Sequence, residues 1–298
     1  MAARPDSLDE VTDPELAEAI GKRWLADLGP RFPRGSILRG RYLLRLILAF
    51  GASEAVCDAY FQNLAELLAP RRKLAAQGRL VIGLGSGRCG STTLTHLITT
   101  LGNVCATHEN PPMLYWSPEA RQIATHLRRF ALLRQYFPLV FDAAHWWLNA
   151  VPELVAAFPE VRFVGLVREE EATVHSFLTI KGVGRGSWNH WVAPGSGPWR
   201  RSVWDFAYPH YPLPKLTGPG DGRIKAGLVR RYVHEYNAAM TKLAAEAPDR
   251  MLTLRTEELG AVKARRRLYD FIGAGAGTYD DLRLNTQHAG DGDADYWF

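Results

Sequence analysis

The segment from Arg79 to Thr93, RLVIGLGSGRCGSTT, constrains the fold of this 298-residue chain more than any other. It begins with a short, almost wholly apolar run, and a glycine-rich turn and a helical pattern follow. An apolar run of this kind is typical of a β-strand that is buried on both faces of a parallel sheet. The segment therefore predicts an α/β fold in which the first strand leads into a glycine-rich loop and then into a helix.

Apolar runs elsewhere in the chain extend this prediction. Further strands are predicted at residues 103–108, 138–144, 161–167 and 250–256. Before residue 79 the apolar residues recur at helical spacing, in residues 13–29, 36–50 and 53–69. The sequence thus predicts a helical extension over residues 1–78 and, over residues 79–298, a central parallel sheet flanked by helices.

Composition and charge exclude several classes of protein. Hydrophobic residues make up 47% and charged residues 22% of the chain, which is typical of a folded domain and not of disorder. The net charge of +5 favours anionic ligands, but no nucleic-acid-binding motif accompanies it, so we expect no nucleic acid partner. The three cysteines have no CxxC spacing, which argues against a disulfide framework and a zinc site.

The amino-terminal residues do not resemble a targeting segment. The stretch MAARPDSLDEVTDPELAEA is acidic and has no apolar core, unlike a secretory signal peptide. The most apolar run, which begins at Tyr42, is interrupted by Arg45 and is too short to span a bilayer. We therefore expect no transmembrane segment and a cytoplasmic location.

The loop has the glycine spacing of a Walker A motif but lacks its lysine. Gly85 and Gly90 stand at the two glycine positions, and Ser91 stands where the lysine of G-x-x-x-x-G-K-[ST] would be. Backbone N–H groups and the start of the next helix would still hold one tetrahedral anion. A triphosphate with magnesium would be poorly bound, so we expect no metal, although a degraded nucleotide-hydrolysing loop remains an alternative.

The arrangement strand, G-x-G-R-x-G-[ST]-T, helix resembles the 5′-phosphosulfate loop of the sulfotransferases that use 3′-phosphoadenosine 5′-phosphosulfate (PAPS). In that family the loop binds the 5′-phosphate and the sulfuryl group, and 3′-phosphoadenosine 5′-phosphate (PAP) is the product. The resemblance implies a P-loop-like sulfotransferase fold. It also implies that the donor is held at Arg88, Cys89, Gly90, Ser91, Thr92 and Thr93.

A second motif of the same family is found in residues 161–178, VRFVGLVREEEATVHSFL. It resembles the family's 3′-phosphate element, in which a buried strand ends in arginine and a serine follows eight residues later on the next helix. Arg168 and Ser176 match these two positions, and Arg168 lies 80 residues beyond Arg88. An arginine at a strand end is often only an ion-pair partner, but this spacing makes a chance match improbable.

Transfer of a sulfuryl group requires a base for the proton of the acceptor. The family takes its base, histidine or glutamate, from the segment after the second strand, and here CATHENPP supplies both His108 and Glu109. Glu109 lies 21 residues beyond Arg88, which resembles the spacing in members that use a carboxylate. We predict Glu109 as the base, with His108 as the rival and a plain solvated turn as the alternative. Many members of the family carry a further lysine that stabilises the sulfuryl oxygens. His145 either replaces this lysine or packs with the neighbouring tryptophans.

Three further predictions concern residues beyond these motifs. Residues 181–212 contain four tryptophans among glycines and prolines, and they predict either a lid over an aromatic or apolar acceptor or a loop anchored to the core. The carboxyl-terminal residues GDGDADYWF suggest calcium but lack the full EF-hand pattern, so we expect a solvated tail. The helix start and Arg88 would lower the pKa of the Cys89 thiol, unless Cys89 is only a small filler.

The resemblance implies an enzyme that transfers a sulfuryl group from PAPS to a small-molecule or glycan acceptor. We expect the acceptor atom to be a hydroxyl oxygen, with an amine as the second choice. A nucleotide or small-molecule kinase is the rival enzyme, but it would require magnesium. The non-enzymatic alternative is a nucleotide-binding interaction module.

Overall fold

The computed structural model describes residues 14–28, 32–49, 53–110, 114, 123–180 and 221–274. The α-helices are α1 Pro14–Leu28, α2 Ile37–Ala49, α3 Glu54–Leu68, α4 Ser91–Thr99, α5 Ile123–Leu133, α6 Val151–Ala157, α7 Glu170–Ile180, α8 Asp221–Glu246 and α9 Val262–Ile272. The strands are β1 Arg79–Leu84, β2 Val104–His108, β3 Leu139–Ala143, β4 Arg162–Val167 and β5 Met251–Arg255. Short 3₁₀ helices lie at His145–Ala150 and Thr256–Glu258.

The five strands form one parallel sheet in the order β2-β3-β1-β4-β5. β1 lies at the centre, where Val81 is level with Phe141 of β3 and with Arg162 of β4. All five strands were predicted from their apolar runs, and each observed end lies within one residue of the predicted end. The predicted α/β fold with a central parallel sheet is confirmed. Since the strands are parallel, the segments that follow them meet at the carboxyl edge of the sheet.

Helices cover both faces of the sheet, which explains why β1 is apolar almost throughout. Leu80, Ile82 and Leu84 belong to a core shared with α5, α7 and α8, whereas Val81 points to the opposite face, toward α4 and α9. Successive side chains of a strand point to opposite faces, so a strand between two helical layers must be apolar at every position. This packing holds the loop after β1 on a rigid support.

The amino-terminal helices also form where the sequence predicts them. Ser53 caps α3 by accepting a hydrogen bond from the Val56 amide, and its hydroxyl donates to Glu18 of α1 over 2.7 Å. Leu16, an apolar residue of α1, is 50% exposed. Buried residues of α1, α2 and α3 belong to the same core cluster as the sheet residues Leu80 and Ile82. The boundary at residue 78 remains a prediction.

Among the described residues, no helix is both long enough and apolar enough to cross a membrane.

Candidate active site at the carboxyl edge of the sheet

The loop between β1 and α4 turns sharply enough to require left-handed backbone angles. The φ angles are 85° at Gly87, 55° at Arg88 and 90° at Gly90, and Gly90 is the residue that caps α4. A Cβ atom added to Gly90 would lie 2.8 Å from Cγ2 of Thr256. Glycine is therefore required at position 90 for two reasons, the backbone angle and the close approach of Thr256.

Two tyrosines of α8 fasten the start of the loop. The Tyr236 hydroxyl accepts a hydrogen bond from the Gly85 amide at 3.1 Å and donates one to the His145 carbonyl at 2.8 Å. The Tyr232 hydroxyl donates to the Ser86 carbonyl at 3.0 Å. Both rings are buried, and burial raises the pKa of Tyr236 well above its ordinary value. The loop is thus held in place by a helix far along the chain.

The reactive thiol that the sequence suggested at Cys89 is not what the structure shows. The Cys89 side chain is buried, and its sulfur lies so close to Gly85 that a Cβ atom there would clash with it. Desolvation raises the pKa of the Cys89 thiol to about 11, which outweighs the hydrogen bonds from the loop backbone. Of the two roles suggested for Cys89, the buried thiol with its raised pKa fits the small filler beneath the loop, and the lowered pKa is wrong. Its backbone remains part of the loop.

The structure brings together the three residues taken from the two family motifs. The Arg88 guanidinium donates from Nε to the Ser176 hydroxyl at 3.1 Å. Arg168, the residue directly after β4, donates from Nη1 to the Arg88 carbonyl at 3.0 Å. The loop after β1 and the β4–α7 unit therefore form one connected cluster, which contains two arginines.

The other side of the loop faces β2. His108, the last residue of β2, lies with Nε2 2.8 Å from the hydroxyl of Ser91, the first residue of α4. Thr92 and Thr93 follow in the first turn of α4 with exposed side chains. His108 is therefore in hydrogen-bonding contact with the start of the helix, where an anion would lie.

Glu109 points in a different direction from His108. Its backbone is left-handed, with φ 51°, and its amide donates to the Ala143 carbonyl at the end of β3. The Glu109 carboxylate lies 3.4 Å from Nδ1 of His145, and the two side chains are 42% and 2% exposed. His145 also packs edge-on against Trp146, with ring centroids 4.8 Å apart. His145 thus packs with a neighbouring tryptophan, as one of the two alternatives predicted, and its role as a replacement for a lysine of the family remains a prediction.

A buried carboxylate beneath this edge escaped the sequence analysis. Asp142 of β3 is 1% exposed and accepts hydrogen bonds from the Thr107 hydroxyl at 2.5 Å and from the Trp147 indole at 2.6 Å. Desolvation raises the pKa of Asp142, although both hydrogen bonds and the charge of Arg129 oppose the shift. The signal was an aspartate in an otherwise apolar strand, which requires buried partners.

The acceptor lid predicted for residues 181–212 and the tail predicted at the carboxyl terminus lie outside the described residues.

The protein is an α/β protein with a central parallel sheet. A glycine-rich loop follows its central strand, and the cluster of site residues lies at the carboxyl edge of the sheet. Residues 80–263 match the sequence model of the family described as the sulfotransferase domain. This match spans more than half of the 298 residues, so the chain belongs to the sulfotransferase domain family.

One solved structure that resembles the chain is described as a sulfotransferase from Alicyclobacillus acidocaldarius. It is 14% identical, the likeness covers 71% of this chain and 88% of that one, and the TM-score is 0.44. No curated protein sequence matches the chain. The family assignment therefore rests on the match over residues 80–263.

Proposed function

We propose that the protein transfers the sulfuryl group of PAPS to a hydroxyl of a small-molecule or glycan acceptor. The observation that carries this proposal is the cluster of Arg88, Ser176 and Arg168, joined by hydrogen bonds of 3.1 and 3.0 Å. Two arginines beside a glycine-rich loop suit a ligand that carries anions at both ends of a nucleotide. PAPS, with a 3′-phosphate and a 5′-phosphosulfate, is such a ligand.

The shape of the loop fits this donor. Gly90, against which Thr256 packs, allows the tight turn into α4, and the residues that follow it present the amides of the first turn of α4. These amides and Arg88 would hold the 5′ end, while Arg168 and Ser176 would hold the 3′-phosphate. The donor, when bound, supplies an activated sulfuryl group. The residues of this chain then have to orient the acceptor and remove its proton.

We assign the proton acceptor to Glu109. Its carboxylate is partly exposed at the carboxyl edge of the sheet, whereas Nε2 of His108 contacts Ser91. A strained backbone angle at a non-glycine residue is common in catalytic sites, and Glu109 has φ 51°. His145, 3.4 Å away, is placed to orient the carboxylate.

The decisive experiment measures selectivity for the 3′-phosphate. We expect calorimetric titration to show much tighter binding of adenosine 3′,5′-bisphosphate than of adenosine 5′-monophosphate. Loss of a charge-assisted pair costs about 1.5–3 kcal/mol, so Arg168→Ala should weaken bisphosphate binding at least about tenfold. Ser176→Ala should have a smaller effect in the same direction. Binding of the monophosphate, the matched control, should barely respond to either substitution. Equal affinity of the wild type for both nucleotides would contradict the proposal.

A second experiment tests the chemistry. Glu109→Gln should keep the affinity for PAP and lose most of the PAPS turnover, because the amide preserves shape but cannot accept the proton. The matched control is Asp249→Asn, a carboxylate change in the turn before β5, at the opposite edge of the sheet. Near-normal turnover in Glu109→Gln would exclude Glu109 as the base.

Two further measurements separate the rival functions. Since Ser91 replaces the lysine that would contact a γ-phosphate, we expect transfer to continue in EDTA. ATP consumption that strictly requires magnesium would favour a kinase instead. Tight PAP binding with no transfer to any of a broad set of phenols, alcohols, amines and glycans would favour a binding module.

A further inference from the structure

Thr256, the residue directly after β5, contacts two segments that lie on other strands. In the sheet β4 lies between β1 and β5, and Val167 is level with Arg255 where β4 and β5 end. The Thr256 hydroxyl donates a hydrogen bond to the Cys89 carbonyl in the loop after β1. The same hydroxyl lies 3.4 Å from the Val167 carbonyl at the end of β4. One side chain therefore reaches across the end of β4 and connects it with the loop.

Two further contacts hold the end of β5 in this position. Thr256 is half-buried, and its Cγ2 methyl packs so closely on Gly90 that an added Cβ atom there would lie 2.8 Å from it. The next residue, Glu257, accepts a hydrogen bond from the Glu169 amide at 3.2 Å, and Glu169 directly follows Arg168. The turn after β5 is thus fixed both to the loop after β1 and to the residues after β4.

The two segments that Thr256 connects each carry one of the arginines proposed to bind the donor. Arg88 directly precedes Cys89, and Arg168 directly follows Val167. Arg168 also donates to the Arg88 carbonyl at 3.0 Å, but this guanidinium has to bind a phosphate as well. The Thr256 hydroxyl contacts backbone carbonyls and leaves both guanidinium groups available for the ligand. It is therefore suited to keep the two segments at a fixed distance.

We propose that Thr256 is a positioning residue that sets the distance between the 5′ and 3′ anion sites, and that it thereby favours nucleotides that carry both groups. The inference rests on the function proposed above and adds a residue that determines its donor specificity. A ligand held at two points gains affinity from the second contact only when the spacing of the two sites matches its own. Segments that are fixed before binding need not be ordered by the ligand. A nucleotide with one phosphate occupies one site and does not depend on the spacing.

Thr256→Val tests this role, because valine keeps the shape of the side chain and removes the hydroxyl. Loss of one hydrogen bond typically corresponds to about a fivefold change in an equilibrium constant. We therefore expect the affinity for adenosine 3′,5′-bisphosphate to fall at least about fivefold. The affinities for adenosine 5′-monophosphate and adenosine 3′-monophosphate should change less than about twofold, since each ligand uses one site. Calorimetric titration with the three nucleotides measures these changes.

Two matched variants separate the hydroxyl from the rest of the side chain. Thr256→Ser keeps the hydroxyl, and we expect its affinity for the bisphosphate to stay within about twofold of the wild type. Thr253→Val makes the same exchange at an exposed position of β5 and should leave all three affinities unchanged. Circular dichroism and urea unfolding show whether each variant is folded. If Thr256→Val does not fold, Thr256→Ala, which also lacks the hydroxyl, is titrated with the same expected loss.

Three results would overturn the inference. The first is a loss of affinity for the monophosphates as large as the loss for the bisphosphate, because Thr256 would then support a single site or the fold as a whole. The second is an unchanged affinity of Thr256→Val for the bisphosphate. The third is a Thr256→Ser variant that binds the bisphosphate as weakly as Thr256→Val. Failure of the proposed function is distinguishable from these results, since the wild type itself would then bind the bisphosphate no more tightly than the monophosphates.

Discussion

The hydroxyl of Tyr236 links the start of the loop to the 3₁₀ helix that follows β3, and its removal gives a sharp test of how the site is held. Tyr236→Phe leaves the ring in place but removes the acceptor for the Gly85 amide and the donor to the His145 carbonyl. Gly85 is buried, and so is the tyrosine ring. A buried polar group that loses its partner costs about 1–3 kcal/mol, so we expect the free energy of unfolding to fall by roughly 2–4 kcal/mol.

Tyr232→Phe is the matched control, since Tyr232 is also buried on α8 and its hydroxyl donates a hydrogen bond to the Ser86 carbonyl. We expect it to lower the free energy of unfolding by about 1 kcal/mol. Urea unfolding of both variants measures the difference, and titration with PAP measures how far the loop is disturbed. Equal losses in the two variants would refute the argument that Tyr236 joins two segments.

Two other predictions follow from the loop. Gly90→Ala should lower PAP affinity at least about tenfold, because alanine is disfavoured at φ 90° and its Cβ would meet Thr256. Gly102→Ala, with φ 66° but no atom within 4 Å of the added Cβ, should cost only about 1 kcal/mol of stability and leave PAP affinity unchanged. Cys89 should resist alkylation at pH 8 until the protein unfolds, since burial raises the pKa of its thiol to about 11. Rapid labelling of native Cys89, read by mass spectrometry, would contradict its placement beneath the loop.

The elements were predictable because their apolar runs are short, well separated and bounded by polar or glycine residues. All five strands lie within one residue of their predicted ends, and β1 and β4, which are buried on both faces, leave continuous apolar runs. The family motifs pointed to Arg88, Arg168 and Ser176, whereas the contact between Arg88 and Ser176 is seen only in the structure.

Other features depend on contacts that local patterns do not encode. The direction of the Cys89 thiol is set by the space that Gly85 leaves beneath the loop. The sequence placed Asp142 in a strand, but its hydrogen-bond partners Thr107 and Trp147 are evident only in the structure. Tyr236 lies 151 residues from Gly85, so its contact with the loop was beyond sequence reasoning. Such contacts between distant segments arise from tertiary packing and not from local propensity.

The hydrogen bonds from Tyr232 and Tyr236 of α8 to the loop have a consequence for synthesis of the protein on the ribosome. The Thr256 hydroxyl donates to the Cys89 carbonyl from 167 residues further along the chain. This contact and the contact of Tyr236 with Gly85 therefore join the loop after β1 to segments that are translated much later. A nascent chain that ends before α8 has β1 and the loop but nothing to hold them. Contacts between such distant segments form late and expose apolar surface meanwhile. We therefore expect ligand binding to arise only after Thr256 has left the exit tunnel, which makes the emerging sheet a client for chaperones.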